Sequence, residues 1–91
     1  MLFVLICQDK PDSEALRKSV RNDHLQYLDD YDVRFAGPML SPDATTMIGS
    51  IVVIEALNLE AAEAFAAADP YGQAGLFAQV NIHPFRQVIP A

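Results

Sequence analysis

Two apolar runs constrain this chain more than any other feature. One is Leu2-Phe3-Val4-Leu5-Ile6-Cys7; the other carries Ile48, Ile51, Val52, Val53 and Ile54. Both are short, and the second is rich in β-branched residues, so they read as strands. Their apolar residues are consecutive rather than strictly alternating, the pattern of a strand that leaves water on both faces. The first run is too short to span a bilayer, no basic region precedes it and no cleavage site follows it. It therefore reads as a strand and not as a signal peptide.

The intervening sequence supplies helices and turns. Residues Asp9 to Ser13 are loop chemistry, with Asp12 or Ser13 able to cap a following helix. From Glu14 to about Asp30, the residues Leu16, Val20, Tyr27, Leu28 and Tyr31 fall at spacings that predict a helical stripe. Glu14 and Lys18 form an oriented i,i+4 pair on its outer side. Val33 to Ala36 predicts a short second strand ended by Gly37-Pro38, and Met39 to Met47 a polar loop. Ile48 to Leu57 is a central third strand. Asn58 caps a helix over Leu59 to Ala68, which stops at Asp69 because Pro70 disfavours helical geometry before it. Tyr71 to Gly75 is a turn, and Phe77 to Val88 a last strand in which Val80 and Ile82 alternate with Gln79, Asn81 and His83.

The order βαββαβ predicts an α+β, ferredoxin-like sandwich, two helices on one face of a four-stranded antiparallel sheet. At 91 residues the chain is one domain, residues 1–91. Two helices cover only one face of the sheet, yet the strands are apolar on both. A second copy of the chain is the economical cover. The expected assembly is a homodimer with sheets packed face to face, burying roughly 700–1,000 Å² per subunit. A bare apolar face would otherwise invite aggregation.

Composition closes off several functions. A chain that is 52% hydrophobic and 20% charged is not disordered. A net charge of −6 argues against a nucleic-acid or anionic-membrane partner, because phosphates need basic patches. The single cysteine, Cys7, makes no internal disulfide and no metal-ligand spacing, which fits a reducing cytoplasm. It reads as a small core hydrophobe. His24 and His83 lack the close spacing of a local metal site, so no metal is expected. His83 reads as surface or pocket lining. Gly37-Pro38 and Gly72-x-x-Gly75 are turns and do not resemble a phosphate cradle.

The remaining candidates each have an ordinary reading beside a chemical one. His24 lies within the helical stripe and could be a satisfied core histidine. Imidazole is also the side chain that titrates nearest neutral pH without help. Arg21, one turn earlier, is a solvated surface charge or an anchor for an anionic group. Asp69 stands at the carboxyl end of a helix, where the dipole disfavours a carboxylate, and reads equally as an Asp-Pro turn initiator. Ser50, beside Gly49, is an ordinary strand serine or a donor to a ligand.

Taking the central strands as parallel, the two helices would run in the same direction. His24 and Asp69 are each eleven residues past their helix starts, Ser13 and Asn58. At ~1.5 Å per residue both would stand roughly 16 Å along. Neighbouring helices lie about 8–10 Å apart, a gap that two side chains can close. A carboxylate on one imidazole nitrogen would fix the tautomer and make the other nitrogen a better base.

Several words recur in order: Arg21-x-x-His24-Leu-x-x-Leu28, Ala36-Gly37-Pro38, Gly49-Ser50, Ala68-Asp69-Pro70-Tyr71-x-x-Ala74-Gly75 and Ile82-x-Pro84-Phe85. Together they resemble the YciI-like family, the YCII-related domain, over essentially the whole chain. The resemblance implies a ferredoxin-like fold, dimerisation as an α/β barrel, and an active site centred on a histidine and an aspartate. Those roles fall on His24 and Asp69. Tyr71 joins Arg21 and Ser50 as a candidate substrate-binding residue. The implied activity is lyase-, dehydrohalogenase- or isomerase-like, without a cofactor, on a small cyclic compound. The connection from Met39 to Met47 is shorter than is usual in the family. The alternative is a binding or sensing module without catalysis. Asp69 separates the two readings, since a binder of apolar compounds gains nothing from a carboxylate at a helix end.

Overall fold

Alternation along the first strand decides where the core lies. In the computed structural model, which describes residues 1–91, β1 (Leu2–Asp9) buries Phe3, Leu5 and Cys7 and leaves Leu2, Val4 and Ile6 half-covered. The chain continues as α1 (Glu14–Asp29), β2 (Val33–Leu40), β3 (Met47–Glu55), α2 (Leu59–Ala68), a short helix α3 (Pro70–Gln73) and β4 (Phe77–Phe85). The four strands form one sheet in the order β2-β3-β1-β4, antiparallel throughout. This is the ferredoxin-like α+β fold. Phe3, Leu5 and Cys7 of β1 join Val52 and Ile54 of β3, and Leu28 from α1 with Ala62 and Phe65 from α2 close over them. No helix is long and apolar enough to cross a membrane.

Several boundaries differ from the sequence reading, each for a local reason. β2 runs through Gly37-Pro38 to Leu40, because an edge strand tolerates a residue with no N–H to give. The following loop shrinks to residues 41–46. β3 begins at Met47 and ends at Glu55, and β4 ends at Phe85 rather than Val88. The expected turn after Asp69 contains the one-turn helix α3. Ser13 occupies the N-cap of α1 without capping it by its side chain, which donates to the Pro11 carbonyl instead. Asn58 does cap α2, its Oδ1 accepting from the Ala61 N–H at 2.8 Å.

The buried face of α1 is also rotated from the predicted stripe. Arg17, His24 and Leu28 are buried, whereas Leu16 and Tyr31 are 38% and 47% exposed. Positions 17, 24 and 28 align along one helical line, and Arg17 can lie inside because acceptors wait for it there.

One premise of the sequence argument is overturned. β1 and β3 are antiparallel, so the helices that follow them run in opposite directions. The contacts follow that sense: Tyr27 Oη donates to the Phe65 carbonyl, His24 meets Asp69, and Arg17 lies over Tyr71. Numbers fall on α1 as they rise on the other side. His24 and Asp69 still meet, because α2 ends after ten residues and its last turn comes level with the middle of α1.

The other face of the sheet carries no helix. Val4, Ile6, Phe35, Ile51 and Val53 occupy neighbouring register positions on it. Phe35 is 57% exposed and Ile51 37%, while Val53 is only 2% exposed beneath its neighbours. His83, opposite Val4 in the register, lies on this open face and is exposed.

Candidate active site

α1 supplies one wall of the site. Arg17, Arg21, His24 and Leu28 succeed one another at three- and four-residue steps and so share a side of the helix. Arg17 Nε donates to Asp9 Oδ2 at 2.7 Å, and its Nη2 donates to Asp9 Oδ1 at 2.8 Å. Nη2 also donates to Ser50 Oγ at 2.8 Å. Asp9 is the last residue of β1, and Ser50 stands in β3 opposite Cys7. The guanidinium carbon lies 4.7 Å from the centre of the Tyr71 ring, a cation–π contact. Burial opposes the charge on Arg17, but the Asp9 carboxylate outweighs it and holds the guanidinium more firmly protonated than an ordinary arginine.

The second wall comes from the break between α2 and α3. Asp69 ends α2 and at the same time begins α3, with Pro70 in the first helical position, where a missing N–H costs nothing. Its Oδ1 accepts from the Tyr71 N–H at 2.9 Å. A carboxylate disfavoured as the tail of one helix is therefore satisfied as the cap of the next. Gly72 permits the fold-back: a Cβ there would lie 2.7 Å from the Ala66 carbonyl oxygen. Gly75, at φ +74°, ends the turn in a conformation that favours glycine.

These two walls bring His24 and Asp69 together. His24 Nδ1 lies 2.8 Å from Asp69 Oδ1 and 3.0 Å from Oδ2. Both side chains are buried, at 8% and 6% exposure. An ionised carboxylate only accepts, so Nδ1 carries the hydrogen and the lone pair of the neutral ring resides on Nε2. Tyr71 stacks on the imidazole with ring centres 3.9 Å apart and planes 16° apart, which fixes the ring from its face. Nε2 makes no protein hydrogen bond, and no buried side-chain polar atom lacks a partner. Nε2 therefore meets the adjoining cavity.

That cavity has a volume of about 160 Å³. Arg17, Arg21, His24, Ser50 and Tyr71 are its polar lining, and Leu25, Leu28, Pro38, Met47 and Val52 contribute apolar surface. A space near 150 Å³ admits a benzene-sized ring. A cavity of this size and mixed lining has room for a small molecule with an apolar body and a few polar substituents.

Each candidate from the sequence has a place in this arrangement. His24 and Asp69 are in direct contact, and Ser50 and Tyr71 are buried beside them. Arg21 is exposed and lines the cavity. Two participants escaped the sequence reading, Arg17 and Asp9. The step from Arg17 to Arg21 to His24 was the available signal for the first. Asp9 offered none, since it looks like any loop carboxylate until β1 carries it under α1.

The Cys7 thiol is pushed up to about 12, first by burial and then by the Asp69 charge, so it stays protonated and packs as a core hydrophobe. Burial raises the Tyr71 hydroxyl above the ordinary tyrosine range, with Asp69 adding to the effect and Arg17 opposing it. No three His, Cys, Asp or Glu side chains are grouped so as to hold a metal ion.

Comparison with known proteins places the whole arrangement in context. The YCII-related domain matches residues 1–86. Protein YciI from Escherichia coli O6:H1 is 43% identical over 97 aligned residues, which cover 97% of this chain and 99% of that protein. Protein YciI from Shigella flexneri matches to the same extent. Among solved structures, the 5-chloro-2-hydroxyhydroquinone dehydrochlorinase TftG from Burkholderia phenoliruptrix AC1100, in complex with 2,5-dihydroxybenzoquinone, superposes with a TM-score of 0.88 at 30% identity, covering 97% of this chain and 96% of that one. SnoaB, a cofactor-independent oxygenase from Streptomyces nogalater, superposes at 0.59 with 16% identity, covering 99% of this chain and 96% of that one, and shares the fold alone.

Proposed function

The chain belongs to the YCII-related domain family, and from that premise we propose that it is a small cofactor-independent enzyme that moves a proton on a small cyclic organic compound. The observation that carries this reading is the Nδ1–carboxylate contact of 2.8 Å between His24 and Asp69, with Nε2 open to a ring-sized cavity. Asp69 holds the tautomer and the orientation; His24 does the exchange. Nε2 takes a proton from a carbon next to an electron-withdrawing group. The C–H pair moves into the ring, and it then either expels a leaving group from the neighbouring carbon or collects a proton elsewhere. The first outcome is a lyase or dehydrohalogenase, the second an isomerase. The dehydrochlorinase at 30% identity supports the first. Arg21, at the cavity rim, is placed to hold an anionic substituent.

Deuterium exchange on a panel of enolisable and halogenated cyclic acids tests this, with wild type set against His24→Ala. Wild type should exchange or convert at least one of them, and His24→Ala should be slower by about 10²–10⁴ while keeping its fold. A variant that turns over normally would leave a binding or sensing module as the reading of the site.

We propose further that the chain works as a homodimer joined through the open sheet face. The exposed Phe35 and Ile51 beside half-covered Val4 and Ile6 support this. Sedimentation equilibrium should return twice the chain mass, and Ile51→Asp should return it once with the fold kept. Val53→Asp is the harsher change, because Val53 is buried within one chain and an unpaired carboxylate there should unfold it.

A further inference from the structure

Arg17 is only 3% exposed, yet proton exchange at His24 does not call for it. Its bonds settle the direction of another group. A guanidinium has donors and no acceptor, so in the 2.8 Å contact between Arg17 Nη2 and Ser50 the serine oxygen must accept. The Ser50 hydrogen is then free to be given to something else. No protein group takes it, since Arg17 is the one side-chain partner of Ser50 Oγ. Ser50 lines the same cavity as His24.

The arrangement is built rather than incidental. The Ser50 side of Arg17 is fixed by the two-pronged hold of Asp9, with side-chain exposures of 3% for Arg17 and 4% for Asp9. Asp9 also balances the charge of Arg17, so the cavity receives a directed hydroxyl donor backed by a cation and not a bare charge. Gly49 lets this part of β3 close against β1: a Cβ there would collide with the Cys7 carbonyl oxygen. The other charged and titratable groups facing the cavity are Arg21 and His24 from α1 and Tyr71 from α3, with Asp69 behind His24.

We infer that Ser50 is the oxyanion-binding residue of this site and Arg17 its positioning residue, and that the ligand is a six-membered ring bearing a carbonyl or acidic hydroxyl oxygen conjugated to the carbon that His24 deprotonates. The proton step in this inference rests on the reading of His24 given above; the oxyanion site does not. As the C–H bond breaks and Nε2–H forms, the electron pair moves through the ring. The carbonyl oxygen gains the negative charge and accepts the Ser50 hydrogen bond. On collapse the pair returns, and either the leaving group departs with its electrons or a proton is taken up at another ring position. Donors aimed at such an oxygen commonly contribute about 10²–10³ in rate.

The test uses 4-nitrophenol, a ring whose neutral and ionised forms absorb differently, bound to the full-length protein and titrated between about pH 5 and 9. Wild type should bind the phenolate in preference to the phenol, so that the bound probe ionises about one pH unit lower than the free probe. Ser50→Ala should lose most of that shift, and Ser50→Thr, which keeps the hydroxyl, should retain it. His24→Ala should also retain it while losing proton exchange, which separates failure of the oxyanion site from failure of the catalytic reading. On a turned-over substrate, Ser50→Ala should lower kcat by about 10²–10³ with KM nearly unchanged. The inference is overturned if Ser50→Ala leaves the shift intact, if wild type binds the neutral phenol better, or if wild type does not bind the probe at all.

Discussion

Asp9–Arg17 and His24–Asp69 are two buried acid–base pairs set along the same helix, and they differ in what their protons can do. Arg17 is charged at any working pH and is gripped at two nitrogens by one carboxylate. Nothing about it can switch. In the second pair only one imidazole nitrogen is engaged, and the other faces a cavity of about 160 Å³. Of the side-chain types in the two pairs, imidazole is the one suited to giving and taking a proton in catalysis. Burial of a charge is thus no signature of chemistry by itself. The signature is burial combined with an exchangeable proton and an open edge. The first pair is built as architecture, and under the proposed function the second serves turnover, so the two should fail differently when broken.

The largest effect is expected from Asp69→Asn. The amide can still cap α3, but it can also present an N–H to Nδ1 and so favour the wrong tautomer. Turnover should fall by about 10²–10⁴ with the melting temperature changed little. A variant that unfolds instead would place Asp69 with the architectural pair. Next in size is Asp9→Ala, which strands a buried guanidinium. It should lower stability by about 3–5 kcal/mol, read from the urea midpoint. A combined Asp9→Leu and Arg17→Met replacement should recover much of that loss, since an apolar pair of similar bulk leaves no orphaned charge. If Asp9→Ala costs nothing measurable, the contrast between the pairs collapses.

The smallest effect concerns Cys7, which lies on the strand between both pairs. Its thiol, ordinarily near 9, is pushed up to about 12 by burial first and Asp69 second. Because the folded state holds this proton more tightly than the unfolded one, its contribution to stability is complete below about pH 9 and is lost as pH climbs toward 12. Iodoacetamide at mildly alkaline pH should leave Cys7 unmodified in the folded protein and label it once urea unfolds the chain. Rapid labelling of the native protein would show that the strand opens locally beneath the site.

Much of this was legible in the sequence where the signal is local. Asn58 capped its helix because an amide oxygen reaches the N–H of the third residue on without help from elsewhere. The consecutive apolar residues in β1 and β3 announced the two central strands of a sheet that is apolar on both faces. Asp69-Pro70 marked the break that ends α2, although Asp69 also caps α3, a second role that only the fold-back over Gly72 reveals. Where the signal depends on a distant partner, the reading slipped. The sequence reading passes over Arg17, because its acceptors Asp9 and Ser50 are eight and thirty-three residues away. The predicted stripe of α1, Leu16, Val20, Tyr27, Leu28 and Tyr31, catches Leu28 but misses Arg17 for the same reason.

The helix direction is the clearest case of a right contact reached by a wrong route. Equal distance from two helix starts implies equal height only if the helices are parallel, and the antiparallel pairing of β1 with β3 turns them against each other. His24 and Asp69 meet because α2 is short and α1 is long. By itself the sequence determined the strands, the two long helices, the Asn58 cap and the break at Asp69-Pro70, since these follow from periodicity and near-neighbour hydrogen bonds. Only the tertiary structure decided which charges are buried, which nitrogen of His24 is free and which donor Ser50 Oγ accepts from. Those depend on groups brought within about 3 Å by strand pairing and helix packing, at separations along the chain where sequence pattern carries no phase.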